Sequence, residues 1–388
     1  MIKFDTIVLG LGATGSAAAY QLARRGNRVL GIDRFDPPHT HGSTHGDTRI
    51  TRLAIGEGAQ YTPLAMRSHE LWREIERETG QSLLMACGGL VISSAAKTST
   101  VHVENFFANT LAAAERFGID HEVLHAPELR RRYPQFNVRD DELGYFEPSA
   151  GFVRPEACVR AQLALARAHG AEIHVNEVVR GFDASADAVT ATTDRATYAA
   201  ERLIVAAGPW LPGLLRSEWA KWFTVSRQVV FWFDVGDSAA AFAPECFPVF
   251  IWELQASRQA VYGFPAIDGP GGGIKISTEQ LETPTTPEAV DRNVTEDESR
   301  AVYAQLVAPH VPAVRANCLR AAACLYTVTP DFGFVIDSHP DFDRVLVASP
   351  CSGHGFKHSA AIGEALAQRI IDGASRIDLG AFRMDRFR

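Results

Sequence analysis

The chain has 388 residues, which is enough for roughly two to three domains of ordinary size. Hydrophobic residues make up 46% of it and charged residues 22%, values typical of globular proteins, so composition gives no support to a disordered, collagen-like or coiled-coil protein. The formal net charge of −8 argues against nucleic acid or a membrane as a partner, since both surfaces repel an acidic protein.

The six cysteines are scattered, without a C-x-x-C pair and without histidines at zinc-site spacing. We therefore expect no structural metal, and reduced thiols as in a cytoplasmic protein. The apolar stretch over residues 7–23 follows Asp5 and is interrupted by glycines, which is not typical of a signal peptide. No run reaches the ~18 apolar residues that a membrane span needs.

The first 33 residues have the pattern of a nucleotide-binding βαβ unit. Residues 6–9 and 28–32 predict two strands, residues 16–25 predict a helix, and G-L-G-A-T-G at 10–15 lies between the first strand and the helix. In such a motif Gly10 permits the tight turn, Gly12 admits a pyrophosphate, and Gly15 lets the helix pack on the strand. Asp33, at the end of the second strand, is the expected acidic residue of the motif.

A polar loop, H-T-H-G-S-T-H-G-D-T-R-I-T-R, follows over residues 39–52. Many of these residues are small or basic, which favours a loop whose backbone approaches a ligand. An arginine can also bind a carboxylate with two hydrogen bonds. The alternative is a solvated surface loop. The glycine motif alone does not distinguish NAD from FAD.

Later segments predict a return to the same sheet. Residues 202–208 and 344–348 are strand-like and apolar, and 357–371 are helical, whereas 229–233 and 259–264 belong to aromatic, alternating stretches. We predict a mixed α/β and α+β fold in which a Rossmann-like, mostly parallel nucleotide-binding domain is interrupted by a smaller, mainly antiparallel catalytic domain. The first domain comprises residues 1–84, 146–220 and 322–388, and the second comprises 85–145 and 221–321.

Five motifs resemble one known family. They lie at 42–49 (G-S-T-H-G-D-T-R), 150–151 (A-G), 262–265 (Y-G-F-P), 324–327 (C-L-Y-T) and 352–357 (S-G-H-G-F-K). Together they resemble the monomeric sarcosine oxidase and N-methyltryptophan oxidase family, over essentially the whole chain. The resemblance implies an FAD domain with an antiparallel catalytic domain, in a monomer that oxidises secondary amino acids to imines and reduces O2 to H2O2.

The resemblance assigns a covalent flavin to Cys324, as a thioether to the 8α carbon. Because a thiolate is the attacking species, the site should lower the pKa of this thiol or activate the flavin ring. Without the resemblance, a cysteine that follows three alanines would be an ordinary buried apolar residue.

Four further residues receive roles from the resemblance. Arg52 and Lys357 are expected to bind the substrate carboxylate, with solvated side chains as the alternative. Lys275, which alternates with two isoleucines on a predicted strand, is expected to promote oxygen reduction, with a solvent-facing lysine as the alternative. Tyr262 corresponds to an active-site tyrosine, and a core aromatic is its alternative.

His45 and His354 are candidates for contacts with the flavin ring, but not for a general base, and Arg49 completes the expected catalytic set. Hydride transfer from a neutral amine requires no strong base. We expect cofactor contacts from the following residues: Gly10, Gly12, Gly15, Asp33, Arg34, Ser43, Thr44, Thr48, Val178, Gly208, Cys324, Gly353, Gly355, Phe356 and Lys357.

One position departs from the family pattern. Four residues after the oxygen-activating lysine, sarcosine oxidases carry a histidine, and this chain has Glu279. A carboxylate there attracts a positive group and repels a second carboxylate, so sarcosine itself is in question as the substrate. A fructosyl-amino-acid oxidase is the nearest alternative, and an NAD-dependent dehydrogenase or a non-catalytic nucleotide-binding protein are more remote ones.

Overall fold

The computed structural model describes residues 3–94, 103–254, 259–269 and 271–388. It is a mixed α/β structure with two large sheets and one small sheet, which confirms the predicted fold class. In chain order, the strands of the described residues are β1 (Phe4–Leu9), β2 (Val29–Ile32), β3 (Arg49–Thr51), β4 (Leu84–Met85), β5 (Gly89–Ser94), β6 (Glu122–His125), β7 (Glu142–Glu147), β8 (Gly151–Val153), β9 (Glu172–His174), β10 (Val179–Ala184), β11 (Val189–Thr193), β12 (Thr197–Val205), β13 (Thr224–Phe233), β14 (Val249–Glu253), β15 (Ala260–Phe264), β16 (Ile274–Thr278), β17 (Cys318–Val328), β18 (Val335–His339) and β19 (Phe342–Ser349).

Most of the helices are short. Those of the described residues are α1 (Ala13–Ala23), α2 (Thr62–Thr79), α3 (Phe106–Phe117), α4 (Ala126–Arg132), α5 (Pro155–Ala168), α6 (Ser217–Ala220), α7 (Glu296–Val302), α8 (Ala308–His310) and α9 (Ser359–Ile371). A 3-10 turn at Phe356–His358 leads into α9. No helix in these ranges has both the length and the apolar character needed to cross a bilayer.

The first large sheet is the nucleotide-binding sheet that the opening motif predicts. β1 lies between β2 and β12 and is parallel to both, and β12 is parallel to β19. Since parallel strands end at the same edge, the carboxyl ends of these four strands meet there. α1 packs against α5 and α9, so the apolar residues of this sheet and its helices form one large core.

The second large sheet has the order β17-β13-β16-β15-β14-β5-β7-β6 and is antiparallel except where β14 pairs with β5. Its core is rich in aromatic side chains, among them the fully buried Phe231, Phe233 and Phe250. This agrees with the mainly antiparallel character that the alternating aromatic segments predict.

A third, small sheet has the strand order β3-β8-β4. Its strand β3 ends at Thr51, immediately before Arg52. β17 starts at Cys318 and pairs with β13, so this strand belongs to the second sheet although the predicted domain boundary at residue 322 falls inside it. The other domain boundaries stay predictions.

Candidate functional site

A cavity of about 500 Å³ opens at the carboxyl edge of the first sheet and extends to the second sheet. This is the edge at which open α/β sheets bind ligands. All the predicted site residues except Gly15 and His45 lie in its wall, namely Gly10, Gly12, Asp33, Arg34, Ser43, Thr44, Thr48, Arg49, Arg52, Val178, Gly208, Tyr262, Lys275, Cys324, Gly353, Gly355, Phe356 and Lys357. Their individual roles stay predictions.

The glycine loop leaves no room for side chains at two positions. Gly10 has a φ of +82°, and a Cβ there would lie 2.5 Å from the carbonyl oxygen of Ala206. A Cβ at Gly15 would overlap the carbonyl oxygen of Gly10, which explains why Gly15 packs behind the loop and not in the cavity wall. The first turn of α1 has no side-chain cap, so its backbone N–H groups are available to a ligand phosphate.

Asp33 stabilises the loop and also faces the cavity. Its Oδ2 accepts a hydrogen bond of 2.7 Å from the backbone N–H of Leu11, and its Oδ1 accepts one of 2.9 Å from that of Phe35. A carboxylate has about four acceptor positions, so these two bonds leave acceptor capacity for the hydroxyl groups of a ribose.

The polar loop over residues 39–52 is held in place and is not a solvated loop. Arg49 donates to the carbonyl oxygens of Thr48 and Ser43, both at 2.8 Å. From the start of α5, Glu156 accepts hydrogen bonds from the N–H groups of Gly46 and Asp47 at 2.6 and 3.2 Å. The loop therefore presents a fixed backbone to the cavity.

Lys275 is buried and donates hydrogen bonds to the backbone of the same loop. Its Nζ donates to the carbonyl oxygens of Gly46 and Thr48 at 2.8 and 2.7 Å and lies 3.9 Å from the centre of the Phe264 ring. The alternative of a solvent-facing lysine is wrong, since the residue is only 2% exposed. Burial and the charge of Arg49 lower the pKa of Lys275 well below its usual value.

Cys324 is buried in the cavity wall on β17, beside Gln228 of β13. Burial raises the pKa of its thiol, although the charges of Arg49 and Lys275 act in the opposite direction. The protein alone therefore does not provide the lowered thiol pKa that we considered. A thioether at this residue would therefore depend on activation of the flavin ring, and the attachment itself stays a prediction.

Arg52 and Lys357 lie in the same part of the wall and share one carboxylate. Glu57 Oε2 accepts a hydrogen bond of 2.6 Å from Arg52, and Glu57 Oε1 lies 3.7 Å from Lys357 Nζ. Lys357 also donates to the carbonyl oxygen of His354 at 2.8 Å. Burial lowers the pKa of Lys357 to about 8, and the charge of Glu57 limits that decrease.

Two tyrosines and Glu279 form a polar group near Cys324. The hydroxyl groups of Tyr262 and Tyr326 are hydrogen-bonded, and all three side chains line the cavity. Burial raises the pKa of both phenols, and the charge of Glu279 adds to the increase, so both are neutral at physiological pH. The alternative that Tyr262 is only a core aromatic is therefore not supported.

His45 lies outside the cavity wall, and its predicted contact with the flavin ring stays a prediction. Its ring is buried and does not line the cavity, and burial together with the charge of Arg49 lowers its pKa to about 3. His354, by contrast, lines the cavity, with its Nδ1 3.7 Å from Glu57 Oε1.

Sequence reasoning missed several residues of the wall. The ones that bear on chemistry are Glu57, Phe106, Trp210, Ile251, Tyr326 and Cys351. Glu57 had a weak signal. It lies between two glycines and five residues after Arg52, so a turn there can bring its carboxylate close to the Arg52 side chain. Tyr326 had a signal as part of the C-L-Y-T motif at 324–327, whereas nothing in the local sequence of Phe106 and Trp210 distinguishes them from core residues.

These residues fit FAD. A glycine loop without space for side chains and an uncapped helix start suit the pyrophosphate, and Asp33 suits the ribose. At the other end, Cys324, Lys275 and the glycine-rich turn before α9 surround the space that would hold the flavin ring.

Comparison with known families agrees with this fit. A sequence model of the family described as FAD dependent oxidoreductase matches residues 5–369. The chain belongs to this family. Membership decides between FAD and NAD, which the glycine motif left open, and makes the chain a flavin-dependent oxidoreductase.

Two relatives within this family confirm the resemblance inferred from the motifs. Monomeric sarcosine oxidase of Streptomyces avermitilis is 40% identical over 380 residues, which cover 98% of this chain and 96% of that protein. N-methyl-L-tryptophan oxidase of Yersinia pestis is 35% identical over 388 residues, 100% of both chains. Among solved structures, a mutant of NikD, an unusual amino acid oxidase, matches with a TM-score of 0.85 at 23% identity, covering 99% of this chain and 97% of that one, which is a likeness of fold.

Proposed function

We propose that this protein oxidises a secondary amino acid, such as an N-methyl amino acid, to an imine and reduces O2 to H2O2. The observation that carries the proposal is the pair of buried cations, Arg52 and Lys357, in the wall that also contains Cys324 and Lys275. Family membership supplies the flavin, and these side chains supply a place for an amino acid beside it.

FAD, when bound, accepts two electrons from the carbon next to the substrate nitrogen and passes them to O2. The residues that would hold it are the glycine loop with Asp33 at the adenosine end, the turn at 353–356, and Cys324 as a thioether to the 8α carbon. The imine product is hydrolysed by water.

Arg52 and Lys357 would bind the substrate carboxylate. Two cations share one carboxylate, Glu57, so the cluster keeps a positive charge that a second carboxylate can balance. Charge-assisted hydrogen bonds of this kind are short and strong in a site that excludes water. The carboxylate would fix the substrate so that its α-amino group lies in the cavity next to the flavin ring.

Lys275 would assist the oxygen reaction. Two of its hydrogen bonds go to the carbonyl oxygens of Gly46 and Thr48, and a protonated lysine has three donors. The third can point into the cavity, where the positive charge of the protonated side chain would stabilise superoxide as it forms.

The direct test is a peroxide assay on the purified, flavin-containing protein. We expect H2O2 from at least one N-methyl or cyclic secondary amino acid, and no H2O2 from the corresponding amines that lack the carboxylate. Peroxide formation from simple amines at equal rates would contradict a carboxylate-binding site.

A second candidate, oxidation of fructosyl amino acids, is favoured by Glu279. A carboxylate in the substrate pocket can accept hydrogen bonds from sugar hydroxyl groups. Fructosyl-glycine and sarcosine have the same amino-acid part, so a higher kcat/KM for fructosyl-glycine in the same assay would select this candidate.

Two further parts of the proposal concern the state of the protein, which we expect to act as a monomer and in the cytoplasm. Sedimentation velocity of the flavin-containing protein tests the first, and fractionation of the source cells tests the second.

A further inference from the structure

Glu279 is the second carboxylate at the substrate end of the cavity, and its backbone is rigidly placed. It directly follows β16. The next residue, Gln280, receives a hydrogen bond from the side chain of Gln228 on its carbonyl oxygen and donates its N–H to Gln228 Oε1 at 2.9 Å. The side-chain oxygen of Gln280 also accepts from the N–H of Val229 at 2.8 Å. These bonds fix residues 279 and 280 against β13.

The charges at this end of the cavity are arranged in two groups. Arg52, Glu57 and Lys357 form the first group, which keeps a positive charge. Glu279 lies in the wall with Tyr262 and Tyr326, on strands of the second sheet or directly after one. The two groups are close enough for the charge of Glu279 to raise the pKa of Lys357.

We propose that Glu279 is the counter-ion of the substrate's amino group, so that the protein takes up its substrate as a zwitterion. This inference rests on the proposed function, because Arg52 and Lys357 must hold the carboxylate for the amino group to lie near Glu279. Only one carbon separates the two groups in an α-amino acid, so a carboxylate held by the first charge group places the nitrogen within the same end of the cavity.

The physical reason is the cost of burying a charge. The amino group of a secondary amino acid is protonated in neutral solution, and a cation that leaves water for a buried site needs an opposite charge there. Glu279 supplies that charge, and the same charge repels a second carboxylate on the substrate. The site therefore prefers secondary amino acids with a cationic nitrogen and a neutral or hydrogen-bond-donating substituent, and it discriminates against N-methyl dicarboxylic acids.

Two ligands of equal shape test the charge alone. Glycine betaine and 3,3-dimethylbutanoate both carry a carboxylate one carbon from a trimethyl group, but only betaine has a positive centre, and neither changes charge at the nitrogen or carbon centre with pH. We would measure both dissociation constants by titration calorimetry on the flavin-containing protein. We expect betaine to bind at least about tenfold more tightly.

The variants assign that preference to one residue. Glu279→Gln should bind the two ligands equally, whereas Glu279→Asp, which keeps the charge, should retain a preference for betaine. Glu282→Gln, which removes an exposed carboxylate three residues further on, should behave as the unmodified protein. If Glu279→Gln fails to fold, the two-ligand comparison on the unmodified protein and on Glu279→Asp still decides.

The outcomes separate the inference from the proposed function. Equal binding of both ligands to the unmodified protein, or an unchanged preference in Glu279→Gln, would overturn the role of Glu279 and leave the carboxylate site intact. If neither ligand binds, or if Arg52→Ala binds 3,3-dimethylbutanoate as well as the unmodified protein does, the carboxylate site itself is wrong and the inference falls with it.

Discussion

Lys357 Nζ lies 3.7 Å from Oε1 of Glu57, and Oε2 of the same carboxylate accepts a hydrogen bond from Arg52. The side chains of Arg52 and Glu57 are only 4% and 6% exposed. A buried carboxylate thus holds two cations near each other that would otherwise repel. This arrangement brings together two cations that are 305 positions apart in the sequence, at 52 and 357, and we propose that they bind the substrate carboxylate.

Removing either cation should weaken substrate binding. We expect Arg52→Ala and Lys357→Ala each to lose about 1.5 to 3 kcal/mol, the range of a hydrogen bond to a charged group, and so to raise the apparent KM about 10- to 100-fold. Steady-state peroxide assays measure the effect. Arg300→Ala, at an exposed arginine of α7, is the matched control and should leave KM unchanged. Unchanged KM in both active-site variants would place the carboxylate elsewhere.

Carboxylate binding should also weaken at alkaline pH. Because burial lowers the pKa of Lys357 to about 8, this side chain is charged below that pH and neutral above it. The dissociation constant of 3,3-dimethylbutanoate, which has no group that titrates in this range, should therefore rise about fivefold between pH 8 and 9. Lys357→Arg should abolish the rise, because arginine stays protonated.

The other groups at this end of the cavity need separate controls. Arg52 and Lys357 both lie beside the carboxylate of Glu57, and Glu279 is part of the same cavity wall. The phenols of Tyr262 and Tyr326 have raised pKa values and stay neutral in this range, whereas the pKa of Lys275 is lowered. If Lys357 is the titrating group, Lys275→Met should show the same increase in the dissociation constant between pH 8 and 9 as the unmodified protein. A rise that disappears in this variant would assign the titration to Lys275.

The covalent flavin depends on Cys324. In Cys324→Ala, acid precipitation should leave the yellow flavin in the supernatant, whereas the unmodified protein should keep it in the pellet. Cys351→Ala is the matched control, because it removes another buried thiol from the same cavity wall. Flavin that stays with precipitated Cys324→Ala would show that another residue forms the bond.

Lys275 should affect the oxygen reaction more than substrate oxidation. We expect Lys275→Met to slow reoxidation of the reduced flavin about 100-fold or more, the size of effect seen when one stabilising group is removed from a developing charge. Stopped-flow absorbance measures reduction and reoxidation separately. Lys221→Met, at an exposed lysine, is the control. Equal slowing of both half-reactions would indicate a structural role instead.

Gly15 should be intolerant of any side chain. A Cβ would overlap the carbonyl oxygen of Gly10, so Gly15→Ala must displace either α1 or the glycine loop. We expect a large loss of Tm and of FAD binding. Gly181→Ala is the control, since a Cβ there meets no atom within 4 Å. Equal Tm values for the two variants would mean that the loop can move at little cost.

The sequence predicts the part of the fold whose signals are local. The glycine motif, flanked by two apolar runs, is sufficient to place β1, α1 and β2 to within a few residues, because both the glycine spacing and the apolar runs are local features of the sequence. β17 is different. Its residues look like any apolar strand, and only its pairing with β13 assigns it to the second sheet.

The site shows the same limit. Lys275, Cys324 and Lys357 were identified because their motifs resemble those of a known family. Glu57 was missed, because its spacing from Arg52 is only a weak local signal and its second cationic neighbour, Lys357, lies 300 residues later in the sequence. His45 lies outside the cavity wall, and a histidine in a glycine-rich loop has no pattern that shows which side of the loop it occupies.

The position of β17 in the second sheet has a mechanical consequence. The glycine loop that would hold the pyrophosphate belongs to the first sheet, whereas Cys324 belongs to the second. A flavin attached at Cys324 would therefore cross-link the two large sheets. Loss of the flavin would weaken the connection between these sheets even when the amino-acid sequence is unchanged.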